Sequence, residues 1–130
     1  FKDKRIIKDI AISEKSGKEE LNLSKSQTSS SLAKPKDMSN TIKVESYKLD
    51  DLIRKTLGKA DFVKLNAEGY EKEIIKSVQD FSCIQKIVIT VHRGHTEKSQ
   101  KEIRKILEEN NYTVKMSKDE ISCRQSRRWL

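Results

Sequence analysis

The chain has 130 residues, 37% of them charged and 34% apolar, with a formal net charge of +8. That is the size of one compact domain with a modest core and argues against a second independent one. No stretch approaches the roughly 18 consecutive apolar residues of a membrane span, and the opening FKDKRIIKDI lacks the apolar core of a signal peptide.

Residues 5–12 form a β-branched run that is apolar on both parities toward its end, which predicts a strand covered on both faces. Ser16-Gly17-Lys18 is a turn signal, and residues 19–24 alternate polar with apolar, so the two runs are expected to pair as a hairpin. The segment 25–40 is serine-rich, holds the only proline and has little to bury, and it reads as a flexible surface loop. Residues 41–45 alternate again as a short strand. Leu49, Leu52, Ile53 and Leu57 then fall at helical spacing, with Asp50 and Asp51 in the first turn, where the helix dipole favours anions, and Gly58 as a stop.

Residues 60–66 predict a strand whose alternation sends Lys64 and Asn66 to one face and Phe62 and Leu65 into packing. Ala67-Glu68-Gly69 is a tight turn into a helix over 70–81, on which Tyr70, Ile74, Val78 and Phe81 share a face. The most continuous β-branched run, 84–91, precedes a second helix over 96–110. There Thr96 suits the N-cap, Ile103, Ile106 and Leu107 make the buried stripe, and Asn110-Asn111 can close the end in a left-handed conformation. Two strand–helix units in series imply parallel strands. Residues 112–116 and 121–125, joined by Ser117-Lys118-Asp119-Glu120, predict a terminal antiparallel hairpin, giving an α/β sheet with an antiparallel edge.

Acids are interleaved with bases nearly everywhere, as in GYEKEIIK and TEKSQKEIRKILEE, which is the pattern of solvated faces and argues against nucleic acid as a partner. The purely basic stretch is the terminal CRQSRRWL. Cys83 and Cys123 are far apart without metal-ligand spacing and read as buried free thiols of a cytoplasmic protein. His92 and His95 lack a third ligand nearby, so no metal is expected. In open α/β sheets the ligand lies beyond the carboxyl ends of parallel strands. That points to Lys64, Asn66 and Glu68 after one strand and His92 after the next, all groups able to bind or move protons. Each has a plainer reading, since Lys64 can pair with Glu68 or Glu71, and Glu68 can cap the following helix. No glycine-rich phosphate turn, serine elbow or internal repeat is present.

The string Asp61-Phe62-Val63-Lys64-Leu65-Asn66-Ala67-Glu68-Gly69-Tyr70-Glu71 resembles the D-F-[IV]-K-[IL]-D-x-E-G-x-E signature of the FkbM family of S-adenosylmethionine-dependent methyltransferases. Leu49-Asp50-Asp51-Leu52 resembles that family's L-D-D-L helix start, residues 87–92 its next strand, and Asn110-Asn111-Tyr112 the G-Y that opens its last hairpin. Asp9-Ile10-Ala11-Ile12-Ser13 with Gly17, then Ser29-Ser30-Ser31, resemble its A-[IVL]-S-D-x-x-G turn and serine-containing loop. The resemblance implies a partial class I methyltransferase (Rossmann-like) sheet, with parallel strands, helices and a C-terminal antiparallel hairpin. Residues 1–130 would be a single, incomplete domain that matches from the third strand onward and lacks the glycine-rich cofactor turn and the acidic residue that holds the ribose.

The implied reaction is transfer of a methyl group from S-adenosylmethionine to an acceptor hydroxyl on a sugar, glycan or small metabolite. Glu68 and His92 are implied as catalytic groups, Lys64, Asn66, Ser30 and Ser31 as substrate-binding residues, and Asp9 and Ala11 as contacts on the cofactor side. Asn66 stands where the signature has aspartate, and Thr90 where an acid precedes the histidine by two. An amide cannot accept a proton, so the base falls to Glu68 or His92. The alternatives are a non-catalytic basic binding module and a truncated, inactive remnant. A sheet edge left open by the missing half can support self-association.

Overall fold

Seven strands and three helices follow one another in the computed structural model, which describes residues 5–23, 40–91 and 96–126. They are β1 (Ile10–Ile12), β2 (Gly17–Leu23), β3 (Asn40–Tyr47), α1 (Leu49–Thr56), β4 (Ala60–Leu65), α2 (Glu71–Ser77), β5 (Ile84–Thr90), α3 (Glu97–Glu109), β6 (Tyr112–Met116) and β7 (Glu120–Gln125). A single 3-10 turn, Phe81–Cys83, leads into β5. The strands form two sheets, one ordered β1-β3-β2 and the other β4-β5-β7-β6. β1 is parallel to β3 and β4 to β5, whereas β2 is antiparallel to β3, and β7 is antiparallel to both β5 and β6. β4, β5 and β6 therefore share a direction, as the two strand–helix units require.

The core belongs to the four-stranded sheet and its helices. Leu49 and Ile53 of α1, Ile74 and Ile75 of α2, and Ile103 and Leu107 of α3 join Leu65, Ile87, Ile89 and Ile121 in one cluster. The three helices thus share one core with this sheet. Ile74, Ile75, Ile84, Ile87, Ile89, Ile103, Leu107 and Ile121 are at most 1% exposed, and each such burial contributes about 1.5–3 kcal/mol. The three-stranded sheet adds Ile12 to the rim of that cluster. Local signals hold at the helix ends. Thr96 caps α3 by accepting the Ser99 N–H at 3.1 Å, and Asn111 is left-handed at φ 69°. Gly58 closes α1 at φ 77°, its N–H donating to the Ile53 carbonyl at 2.9 Å.

Several expectations are corrected. β1 and β2 do not form a hairpin, because both pair with β3. The link between them is bonded elsewhere: Ser13 N–H donates to Tyr47 O at 2.9 Å, and the Ser46 hydroxyl to Lys15 O at 3.0 Å. β1 is a three-residue strand, not one spanning 5–12, and Ile6 and Ile7 before it are 68% and 87% exposed. β3 extends from Asn40 to Tyr47, beyond the expected 41–45. The rest of the expected loop, 25–39, lies outside the described residues.

The helix expected over 70–81 stops at Ser77. Buried Asp50 explains this, since its Oδ2 accepts the N–H groups of Gln79 and Asp80, both at 3.2 Å, and draws the chain out of the helix. Phe62 is 55% exposed, not packed. It differs from Leu65 by three positions, and a period of two puts them on opposite faces. The terminal hairpin is present, but its antiparallel strand β7 lies inside the sheet and β6 forms the edge. The fold is mixed α/β, with parallel pairing confined to β1·β3 and β4·β5.

Candidate functional site

The site grows from the carboxyl ends of β4 and β5. Lys64 pairs with Val88 and Leu65 with Ile89, and the buried Leu65 and Ile89 fix the strand ends against the helices. Beyond them the chain turns sharply. Glu68 and Gly69 both have left-handed backbones, at φ 49° and 97°, and the Tyr70 N–H donates to the Ala67 carbonyl at 3.1 Å. A left-handed conformation costs a non-glycine residue about 1–2 kcal/mol, so Glu68 is held there by its surroundings, and such strain collects at functional positions.

Part of that hold comes from Glu71. It opens α2, is wholly buried, and reaches back so that its Oε1 accepts the Ala67 N–H at 3.2 Å. A hydrogen bond to an ionised acceptor is stronger than one to a neutral group. Lys64, Asn66 and Glu68 are all exposed around the turn that Glu71 braces. On β5, Thr90 lies opposite Glu120 of β7, and the Val91 N–H donates to Asp119 O at 2.9 Å. Glu120 therefore sets a carboxylate across from the threonine at this strand end.

β1 reaches the same region through Ser13 and Tyr70. Ser13, 1% exposed, donates its hydroxyl to Glu19 Oε1 at 3.2 Å, and its carbonyl accepts the Ser77 hydroxyl at 3.5 Å. Burial pushes the Tyr70 phenol above its ordinary value, the carboxylates of Glu14, Glu73 and Glu19 push it further, and a Ser13 hydrogen bond opposes them. Ala11 lies half-buried within β1, and Asp9 is exposed just before it.

Of the residues singled out from the sequence, the structure gathers Lys64, Asn66 and Glu68 around one turn. Ala11 lies on the other sheet and Asp9 just before it, linked to that turn by way of Ser13 and Tyr70. His92, Ser30 and Ser31 lie outside the described residues. Sequence reasoning missed the bracing role of Glu71, whose signal was an acid two residues after a tight glycine turn. It also missed what the aspartates of α1 do. Asp50 Oδ2 takes two backbone N–H groups and lies 3.4 Å from Arg54, and Asp51 Oδ2 accepts the Ser16 hydroxyl at 2.8 Å. Both fasten loops to α1. Arg54 in turn meets Asp80 at 3.0 Å. Hydrogen bonds from Ser82 and the Arg54 charge hold the Asp80 carboxyl below its usual range.

The described residues do not form a complete cradle for S-adenosylmethionine. Gly17, Gly58 and Gly69 sit in three separate turns, and none brings its backbone against a neighbour closely enough to exclude a side chain. Among the described residues no three His, Cys, Asp or Glu side chains gather to hold a metal ion, and no helix is long and apolar enough to cross a membrane. Cys83 and Cys123 are free and buried. A cavity of about 650 Å³ opens against the four-stranded sheet, lined by residues that include Phe62, Lys86, Val88 and Arg124 but not Asn66 or Glu68. It is separate from the strand-end turn.

A family model described as the methyltransferase FkbM domain matches residues 3–114. No curated protein and no solved structure matches the chain.

Proposed function

The chain belongs to the FkbM methyltransferase family, and from that premise we propose that its strand-end turn is the acceptor side of an O-methylation site. The acceptor is a hydroxyl of a sugar or small metabolite, and the methyl donor is S-adenosylmethionine. The observation that carries this reading is the left-handed turn at Glu68, braced by buried Glu71 at the carboxyl end of a parallel strand. That end is where open α/β sheets place their ligands. The parallel pair β4·β5, with α2 between its strands, supports a partial Rossmann-like sheet.

When bound, the cofactor supplies a methyl group on a positively charged sulfur. The chain's own residues act on the acceptor. The Glu68 carboxylate takes the hydroxyl proton, the Lys64 ammonium holds an oxygen of the acceptor, and the Asn66 amide orients a neighbouring hydroxyl. His92 is the second candidate for the proton. Much of the acceleration in such a transfer comes from alignment, which is why a rigid turn matters. Asp9 and Ala11 would lie on the cofactor side, and Ser30 and Ser31 near the acceptor. The free, buried thiols support a cytoplasmic location, and the outer edges of β1 and β4 offer unpaired backbone to a second copy.

Titrating the 130-residue chain with simple sugars and following amide shifts tests the acceptor role. Shifts concentrated at residues 64–69 and lost in Glu68→Gln are expected, and no shift at those amides would overturn it. Calorimetry with S-adenosylmethionine tests the cofactor side. Weak or undetectable heat is expected, whereas a micromolar Kd would overturn the incomplete cradle.

A further inference from the structure

β7 runs against β4 and β5, so its first residue, Glu120, stands at the carboxyl end of the parallel strands. That is the end which helices on either face of an open sheet leave to a ligand. Glu120 lies opposite Thr90. Its carbonyl accepts the Ser117 N–H on the β6 side at 2.9 Å, while the next bond toward β5 runs from the Val91 N–H to Asp119 O. Thr90 and Glu120 are therefore a pair without backbone bonds between them, the kind in which Cα atoms approach to about 4.5 Å and side chains are closest. On the other flank of β5, Leu65 pairs with Ile89, so Asn66, one step on, comes level with Thr90. Asn66, Thr90 and Glu120 thus make the last cross-strand row before the site. It spans two strand spacings, about 9–10 Å.

Glu120 is exposed, and its carboxylate takes part in no hydrogen bond or ion pair among the described residues. It also lies beyond residues 3–114, which the family model matches. A group outside the shared part suits selection of a particular substrate rather than chemistry common to a family. An ionised carboxylate only accepts hydrogen bonds, and its two oxygens can take two donors side by side. Neighbouring hydroxyls on a ring present such a pair. The row leaves room for one sugar ring between Glu120 and Asn66, with the half-buried Thr90 beneath it.

We propose that Glu120 is a specificity-determining residue of the strand-end site, and that the acceptor is a sugar or cyclic polyol whose neighbouring hydroxyls bind its carboxylate. This rests on the reading of the Glu68 turn as the acceptor side. Glu120 holds the edge of the ring away from the hydroxyl that gives its proton to Glu68. A simple alcohol with one hydroxyl cannot reach both groups.

Amide-shift titration of the full 130-residue chain with glucose, mannose, galactose and myo-inositol tests it, with 1-propanol as the single-hydroxyl control. At least one of the four ring compounds should move the amides of residues 119–121 together with those of 64–69, with one common Kd. 1-Propanol should leave 119–121 unmoved. Glu120→Gln should raise the Kd about 5–10-fold, the difference between an ionised and a neutral acceptor, and Glu120→Ala at least as much. Glu109→Gln, at the far end of α3, should leave the Kd unchanged. Unaltered amide positions elsewhere in the free variants show that each is folded. Shifts at 64–69 with 119–121 silent, or an unchanged Kd in both Glu120 variants, would overturn the role of Glu120 and leave the turn as the acceptor site. Shifts at 119–121 alone, or at neither place, would remove the turn as the acceptor site and this proposal with it.

Discussion

Replacing Glu71 separates local bracing from global packing. In Glu71→Gln the side chain keeps its length and one acceptor, but the bond from Ala67 N–H, now 3.2 Å long, becomes neutral. Bonds to ionised acceptors contribute about 1.5–3 kcal/mol and neutral ones about 0.5–1.5. The turn over 66–69 should therefore open more easily by about 1–1.5 kcal/mol, which is roughly tenfold. Glu71→Ala removes the bond outright and one buried methylene at about 0.8 kcal/mol, so the whole fold should lose about 2–4 kcal/mol. Native-state hydrogen exchange reads both. The Ala67 amide should lose about tenfold protection in Glu71→Gln while the Ile87 and Ile89 amides of β5 change little, and in Glu71→Ala all should fall, Ala67 most. If Ala67 protection changes only in step with β5 in both variants, Glu71 does not brace the turn and the account of the site fails.

Other substitutions test the remaining anchors. Asp50→Ala leaves the Gln79 and Asp80 N–H groups without their acceptor and should cost about 3 kcal/mol in urea unfolding; a change within about 0.5 kcal/mol would show that water replaces it. The Tyr112 hydroxyl lies 2.6 Å from Ile84 O and 3.1 Å from Phe81 O. Gln125 also donates to Phe81 O at 2.9 Å, so Tyr112→Phe orphans chiefly Ile84 O and should cost about 1 kcal/mol, lowering Tm by about 3–6 °C. Burial pushes the Cys123 thiol up to about 12, against about 8.5 for an ordinary thiol. Above about 8.5 the unfolded chain loses that proton while the folded one keeps it, so stability falls as pH rises, by about 2 kcal/mol at pH 10. The decline should be shallower in Cys123→Ala, and equal slopes in the two proteins would refute the assignment.

Helices α1 and α3 were legible from the sequence because their signals are local: the spacing of Ile103 and Leu107, the Thr96 cap and the left-handed Asn111. Strand partners were not, because pairing is decided by distant segments. Nothing within residues 10–23 says that both β1 and β2 will choose β3, or that β7 will enter between β5 and β6. The early end of α2 was hidden for the same reason, since its cause, Asp50, is more than 25 residues away in sequence. At the site, the motif string located Lys64, Asn66 and Glu68, but the inward turn of Glu71 follows from burial, which a string of letters does not carry. The placing of Glu120 opposite Thr90 needed the register of two strands.

The position of β7 bears on how the protein is made. It leaves the ribosome after β4, β5 and β6, yet it hydrogen-bonds on both sides, to β5 and to β6. Until residues 120–125 emerge, β5 has a bare flank and β6 has no neighbour at all. Folding of the four-stranded sheet must therefore await those residues, and a nascent product that lacks them would display the edge of β5 to chaperones, to proteases and to other unfinished copies.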